Sequence, residues 1–203
     1  MEKLYTYLAL GDSYTIGEGV NITESFPYQV VEALRKKGFN FSAPEIIAKT
    51  GWTTDELSAA IDAHQFLSKY DFVSILIGVN NQYRGRTVEE YKLELEGLIK
   101  KALLFADGKK EHVIVISIPD YSISPFAQSI DPENISRSID LFNSVNNALS
   151  IQYKVQHIDI STDLKDVKDN ASLFVEDGLH PTANEYGKWA NETVKIISEQ
   201  LKK

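Results

Sequence analysis

The chain has 203 residues, of which 43% are hydrophobic, so we expect a single domain over residues 1–203 with a sizeable core. A formal net charge of −8 disfavours nucleic acids and anionic membrane surfaces as partners. The absence of cysteine excludes disulfides, thiolate nucleophiles and Cys-based metal sites. The first residues show neither an apolar signal core nor a membrane span, so we expect a cytoplasmic protein, or a secreted or periplasmic one if a signal peptide has been removed.

The apolar pattern predicts five short strands that alternate with helices along the chain. Strands are expected over residues 5–10, 44–48, 72–77, 112–118 and 155–160. Helices are expected over residues 27–37, from Thr53 or Thr54 onward, and over residues 87–106, 132–152 and 184–202. A polar loop is expected over residues 163–169. The segment after Pro119 is irregular for about a dozen residues, which is long enough to form the wall of a pocket.

Strands that alternate with helices predict an α/β fold with right-handed crossovers and a parallel sheet covered on both faces. The form expected for this type has three layers, α/β/α, and the strand order 2-1-3-4-5. In that order the first three strands are neighbours. The residues that follow them, Ser13, Gly51 and Asn80, would then lie side by side along the edge where open α/β sheets bind their ligands.

Ser13 follows the first strand in Gly11-Asp12-Ser13, where its hydroxyl can serve as a nucleophile. Such a hydroxyl needs a base that takes its proton and a third group that orients the base. His180 can be the base, and Asp177 is close enough in sequence to bind one ring nitrogen while the other nitrogen faces Ser13. Taken alone, each of these segments is also typical of an ordinary turn without a chemical role.

An attack on a carbonyl carbon creates an oxyanion, which needs preorganised hydrogen-bond donors. Three candidates follow the first three strands: the backbone N–H of Ser13, the backbone N–H of Gly51 and the side-chain amide of Asn80. A side chain at position 51 could block the approach of a substrate to the backbone. Gly51 and Asn80, taken singly, fit turn positions equally well.

The sequence lacks the signatures of several other kinds of site. Thr15 stands where the Gly-x-Ser-x-Gly pattern of α/β-hydrolases requires glycine. His-Glu-x-x-His is absent and the scattered Asp and His residues lack ligand spacing, so we expect no metal. We also expect no cofactor, because neither Gly-x-Gly-x-x-Gly nor a Walker sequence follows any strand.

Four blocks, in order over nearly the whole chain, resemble the SGNH or GDSL hydrolase family. They are Gly11-Asp12-Ser13-Tyr14, Gly51, Gly78-Val79-Asn80-Asn81 and Asp177-Gly178-Leu179-His180. The resemblance implies a flavodoxin-like sheet, with Ser13 as nucleophile, His180 as base and Asp177 as its orienting group. It also implies that Ser13, Gly51 and Asn80 are the oxyanion donors. Tyr14 stands where the family usually has Leu, and Asn81 where it commonly has Asp.

These observations predict a metal-independent serine esterase or acylhydrolase that acts through an acyl-enzyme on small ester substrates, most simply short-chain acyl or acetyl esters. A lysophospholipase, a thioesterase and an acyltransferase remain alternatives on the same site, and a non-catalytic module that binds a nucleotide or flavin is the alternative of another class. Aromatic residues expected to line the substrate pocket are Tyr14, Tyr83, Tyr121, Phe126 and Phe174.

Overall fold

Five parallel strands form one sheet in the order β2-β1-β3-β4-β5, which confirms the predicted arrangement. The computed structural model describes residues 3–161 and 171–202, so the polar loop predicted over residues 163–169 lies outside the described part. The strands are β1 Tyr7–Gly11, β2 Glu45–Ala48, β3 Phe72–Leu76, β4 Val113–Ile116 and β5 Gln156–Ile158. Every residue of β1, β3 and β4 is buried, as expected of a parallel sheet covered on both faces.

Helices cover both faces of the sheet. Those in the described part of the chain are α1 Ser13–Ile16, α2 Phe26–Lys36, α3 Thr54–Ala63, α4 Val79–Tyr83, α5 Val88–Phe105, α6 Pro132–Tyr153 and α7 Ala183–Leu201. Helix α2 packs against α7, while α5 packs against both α3 and α6. None of the described helices is both long enough and apolar enough to cross a membrane.

The predicted long elements have their boundaries within about two residues of the observed ones, the usual scatter of such assignments. Both short helices, α1 and α4, were missed, because helices of four and five residues are too short to show a helical repeat of apolar residues. The segment predicted as irregular after Pro119 contains two 3₁₀ helices, Tyr121–Ile123 and Pro125–Ser129.

Gly11 allows α1 to start directly after β1. It pairs with Ala48 of β2 and with Leu76 of β3, in the middle of the three strands. A β-carbon at this position would lie 2.0 Å from Thr15 Oγ1 and 2.3 Å from the carbonyl oxygen of Leu76. The chain therefore turns into the helix only because no side chain is present here.

Substituting Gly11 by Ala tests this packing requirement. We expect the free energy of unfolding to fall by about 1–3 kcal/mol or more, because the added methyl group overlaps Thr15 and the β3 backbone. Gly97, in the interior of α5, is the matched control, because a methyl group added there would meet no atom within 4 Å. Gly97→Ala should therefore stabilise the protein by about 0.5–1 kcal/mol. Urea denaturation measures both changes, and equal stabilities of Gly11→Ala and the wild type would contradict the packing.

Candidate active site

The carboxyl ends of β2, β1 and β3 lie side by side, and each is followed by a residue of the predicted site. Ser13 begins α1 directly beyond β1, Gly51 lies in the turn between β2 and α3, and Asn80 lies in the first turn of α4 beyond β3. All three line one cavity of about 190 Å³ together with His180. The strand order thus brings together residues that are far apart in sequence.

The His180 imidazole connects a hydroxyl to a carboxylate. Its Nε2 atom lies 2.9 Å from Ser13 Oγ, and its Nδ1 atom lies 2.6 Å from Asp177 Oδ2. A carboxylate only accepts hydrogen bonds, so Nδ1 carries the proton that it donates to Asp177, and Nε2 of the neutral ring accepts from the Ser13 hydroxyl. In this arrangement the imidazole can take the hydroxyl proton as the oxygen attacks a carbonyl carbon.

The loop that carries Asp177 and His180 is held by hydrogen bonds within the loop and by one from Phe126. The Asp177 Oδ1 atom accepts hydrogen bonds from the Leu179 N–H at 2.8 Å and from the His180 N–H at 2.9 Å. The Val175 N–H donates to the His180 carbonyl at 2.9 Å, and the Phe126 N–H donates to the Gly178 carbonyl at 3.1 Å. These bonds orient the carboxylate before any substrate binds.

The pKa of Asp177 reflects two opposing effects. Partial burial acts to raise it, but the hydrogen bonds from His180 and from the backbone N–H groups of His180 and Leu179 outweigh burial and lower it below its ordinary value. The carboxyl group is therefore ionised at neutral pH, as an orienting group for an imidazole must be.

The three residues predicted to supply the oxyanion donors, Ser13, Gly51 and Asn80, all line the cavity. The Ser13 N–H lies in the first turn of α1, where backbone donors have no acceptor within the helix. Gly51 has a φ of 84°, in the left-handed region that glycine adopts without strain. The Asn80 amide nitrogen donates one hydrogen to the Trp52 carbonyl at 3.0 Å, which holds the side chain in place. Its second hydrogen makes only the longer and weaker contact with Asp12 Oδ2, at 3.4 Å, and is the one that an oxyanion would accept. Donors fixed in this way can stabilise an oxyanion.

Asp12 is fully buried beneath the site, between β1 and α1. Its Oδ1 atom accepts a hydrogen bond from the Tyr14 N–H at 3.0 Å and caps α1. Burial raises the pKa of Asp12 to about 7, although the hydrogen bonds from Tyr14 and Asn80 act to lower it. The sequence pattern contained no sign of this group's burial.

Four of the five aromatic residues predicted for the pocket line the cavity: Tyr14, Tyr83, Tyr121 and Phe126. Phe174, the fifth, is not among the residues that line it. It forms a β-bridge with Pro181, and its neighbours Leu173 and Val175 are hydrogen-bonded to Thr182 and His180. Phe174 therefore lies at the base of the loop that carries His180. Three further lining residues were not predicted, although each adjoins a predicted site residue: Thr50, Val79 and Leu179.

The two departures from the family pattern have different surroundings. Tyr14 is buried, its ring centroid lies 5.1 Å from that of His180, and its hydroxyl has no hydrogen-bond partner among the described residues. Asn81 is also buried, and its Oδ1 atom accepts a hydrogen bond from the Thr54 N–H at 3.1 Å. Its amide nitrogen donates to Thr54 Oγ1 at 2.6 Å and to Glu94 at 3.4 Å, so Asn81 joins α4 to the start of α3.

Metal ligands do not gather at this site or elsewhere in the described chain. Within residues 3–161 and 171–202, no group of three or more His, Cys, Asp or Glu side chains could hold a metal ion.

Substituting Asp12 by Asn tests the burial of this carboxyl group. Between about pH 4, where an unfolded Asp loses its proton, and about pH 7, the native Asp12 keeps its proton, so the folded state binds more protons than the unfolded state. The stability of the wild type relative to Asp12→Asn should therefore fall as pH rises through this window, by roughly a few kcal/mol. Urea denaturation across the window measures it, and a constant difference would contradict the assigned burial.

Several solved structures share this fold over nearly their whole length. A lipase/acylhydrolase from Enterococcus faecalis has a TM-score of 0.78 and 21% sequence identity, covering 97% of this chain and 96% of that chain. TesA has a TM-score of 0.75 and 21% identity, covering 95% and 97% of the two chains. Axe2, an acetylxylan esterase from Geobacillus stearothermophilus, has a TM-score of 0.75 and 21% identity, covering 95% and 94%.

These TM-scores and coverages establish a shared fold. The sequence matches none of the curated proteins with which it was compared. The model of the GDSL-like lipase/acylhydrolase family, however, matches residues 9–187, which include every residue of the Ser13, Gly51, Asn80 and His180 blocks. The chain therefore belongs to the GDSL-like lipase/acylhydrolase family.

Proposed function

We propose that this member of the family is a serine esterase that cleaves small carboxylic esters through an acyl-enzyme. The observation that carries the proposal is the continuous hydrogen-bonded path from Asp177 through His180 to Ser13, which ends in a cavity. A nucleophile, a base and an orienting group in this order are what acyl transfer by a hydroxyl requires.

The first half of the reaction transfers the acyl group to the enzyme. Ser13 Oγ attacks the ester carbonyl carbon while its proton moves to His180 Nε2, and Asp177 stabilises the imidazolium that results. The carbonyl oxygen becomes negatively charged and accepts hydrogen bonds from the Ser13 N–H, the Gly51 N–H and the Asn80 amide. When the tetrahedral intermediate collapses, the C–O bond to the alcohol breaks and His180 gives the alcohol its proton.

The second half regenerates the enzyme. Water attacks the acyl carbon and passes a proton to His180, the bond to Ser13 Oγ breaks, and the imidazolium returns its proton to that oxygen as the acid leaves. The imidazole supplies both base and acid, and the three donors stabilise the oxyanion, so we assign no step to a metal ion.

The cavity supports a small acyl group as the preferred substrate. Its volume of about 190 Å³ is below the range of roughly 300–1,000 Å³ that is typical of sites for drug-sized ligands. Val79, Leu179 and the rings of Tyr14 and Tyr121 give it a largely apolar wall, which suits an acetyl group or short alkyl chain better than a charged group.

Two exposed rings at the cavity mouth support a role in binding the alcohol part of the ester. Tyr83 is 56% exposed and Phe126 is 36% exposed, and their ring centroids lie 6.1 Å apart. Exposing a large aromatic side chain to water is unfavourable in free energy. A ring or chain of the substrate can cover these two side chains on binding and remove that exposure.

Substituting Ser13 by Ala should reduce kcat for p-nitrophenyl acetate by about 10³-fold or more, because the nucleophile is lost. His180→Ala should have an effect of similar size, and Asp177→Asn one that is similar or smaller. His64→Ala is the matched control, since His64 is an exposed residue at the end of α3, and this variant should keep wild-type activity. Retention of most of the wild-type rate by Ser13→Ala would exclude the proposed mechanism.

The same assay, extended to p-nitrophenyl esters of rising chain length, acetylated xylan and lysophosphatidylcholine, tests the substrate class. The size of the cavity predicts that the shortest acyl chains give the highest kcat/KM. A maximum at long chains, or turnover of lysophosphatidylcholine alone, would instead support a lysophospholipase.

A further inference from the structure

The turn that carries Gly51 is held by contacts on three of its residues. Arg84 Nη2 donates a hydrogen bond to the Gly51 carbonyl at 2.6 Å. On the preceding residue, the Thr50 hydroxyl donates to the Glu18 carboxylate. On the following residue, the Trp52 carbonyl accepts from the Asn80 amide at 3.0 Å. The contacts come from two parts of the chain, the loop that carries Glu18 and the α4 segment that carries Asn80 and Arg84, and they meet on one short segment.

Arg84 is well placed to act as a fixed anchor. It follows α4 directly, and its N–H donates to the Asn80 carbonyl at 3.0 Å, so Arg84 and Asn80 are held by the same short helix. Its guanidinium group also forms an ion pair with Glu56 at 3.3 Å. The Glu56 carboxylate in turn accepts a hydrogen bond from the Thr53 N–H at 2.9 Å in the capping box of α3. The guanidinium group thus connects the end of α4 both to the Gly51 carbonyl and to the start of α3.

Gly51 needs such an anchor because glycine is the residue with the greatest backbone freedom. A donor stabilises an oxyanion effectively only if it already points at the place where charge develops. The Gly51 N–H and carbonyl belong to two peptide groups that share one α-carbon. Fixing the carbonyl through Arg84 and the preceding residue through Glu18 therefore leaves the N–H little freedom to rotate.

We propose that Arg84 is a positioning residue that, through its hydrogen bond to the Gly51 carbonyl, holds the Gly51 N–H toward the oxyanion. The inference rests on the proposed function, because it assigns the Gly51 N–H a role in that reaction. Arg84 does not line the cavity, so it acts on the reaction through Gly51 rather than by touching the substrate.

Arg86 provides a matched control for Arg84. It lies two residues further along, and its guanidinium group also pairs with an acidic residue of α3, at 2.8 Å from Asp55 Oδ1, and with Glu94 at 3.6 Å. It makes no contact with the Gly51 turn among the hydrogen bonds and ion pairs of the described chain. Substitution by Met removes the charge and the donors of either arginine and keeps the apolar stem.

The test compares Arg84→Met with Arg86→Met in the full-length protein. Arg84→Met should lower kcat for p-nitrophenyl acetate by about 10-fold or more with little change in KM, because a misdirected oxyanion donor weakens the transition state more than the ground state. Arg86→Met should retain kcat. Low millimolar guanidinium chloride, compared with sodium chloride, should restore part of the Arg84→Met rate, because a free guanidinium ion can occupy the emptied position. A purely structural role for Arg84 predicts no such rescue.

A kcat for Arg84→Met equal to that of Arg86→Met, or a loss confined to KM, would overturn the inference. Arg84→Lys covers the case in which Arg84→Met fails to fold, since Lys keeps the charge and one donor but not the fork that joins Gly51 and Glu56. An Arg84→Lys kcat equal to that of the wild type would likewise count against the guanidinium group.

Ser13→Ala separates the two proposals. If Ser13→Ala stays active, the proposed function fails, whereas an inactive Ser13→Ala with an unaffected Arg84→Met refutes the positioning role alone.

Discussion

The site depends on the pairing of three neighbouring parallel strands with β1 in the middle. Gly11 at the end of β1 is in register with Ala48 of β2 and Leu76 of β3, so the three strands end at the same level. Parallel strands present their carboxyl ends on one edge of a sheet, and the turns beyond them are free of the hydrogen-bond ladder. Ser13, Gly51 and Asn80, the proposed nucleophile and oxyanion donors, are thereby placed around one cavity by the backbone itself.

The fourth part of the site is not on these strands and must be brought to them. The loop before α7 carries both Asp177 and His180, so the orientation of the imidazole is set locally, by hydrogen bonds within the loop. Only one contact across the site, between His180 Nε2 and Ser13 Oγ, is then needed to complete the relay. The hydrogen bond from the Phe126 N–H to the Gly178 carbonyl also ties this loop to the 3₁₀ segment Pro125–Ser129.

Much of this arrangement could be predicted from the sequence. The five strands showed as apolar runs, and the four motif blocks fell where strands or the last helix meet a turn. The strand order came from the fold type and not from any periodicity, since a hydrophobic pattern does not say which strands are neighbours. The short helices α1 and α4 were missed for a related reason, because four or five residues make little more than one helical turn and cannot show a repeating apolar pattern. Features that arise from contacts between distant residues were not predictable in this way. The hydrogen bond from Arg84 to the Gly51 carbonyl joins residues that are 33 positions apart, and nothing near either one indicates the other. The burial of Asp12 and the position of Phe174 outside the cavity likewise depend on how the elements pack.

The central claim is that Ser13, His180, Gly51 and Asn80 surround one reacting carbonyl. A crystal structure of the protein after reaction with a p-nitrophenyl phosphonate tests it directly, because the adduct has the tetrahedral geometry of the intermediate. We expect a phosphorus atom bonded to Ser13 Oγ and a phosphoryl oxygen within hydrogen-bond distance of the Ser13 N–H, the Gly51 N–H and the Asn80 amide. A label on another residue, or a phosphoryl oxygen directed away from these donors, would contradict the claim.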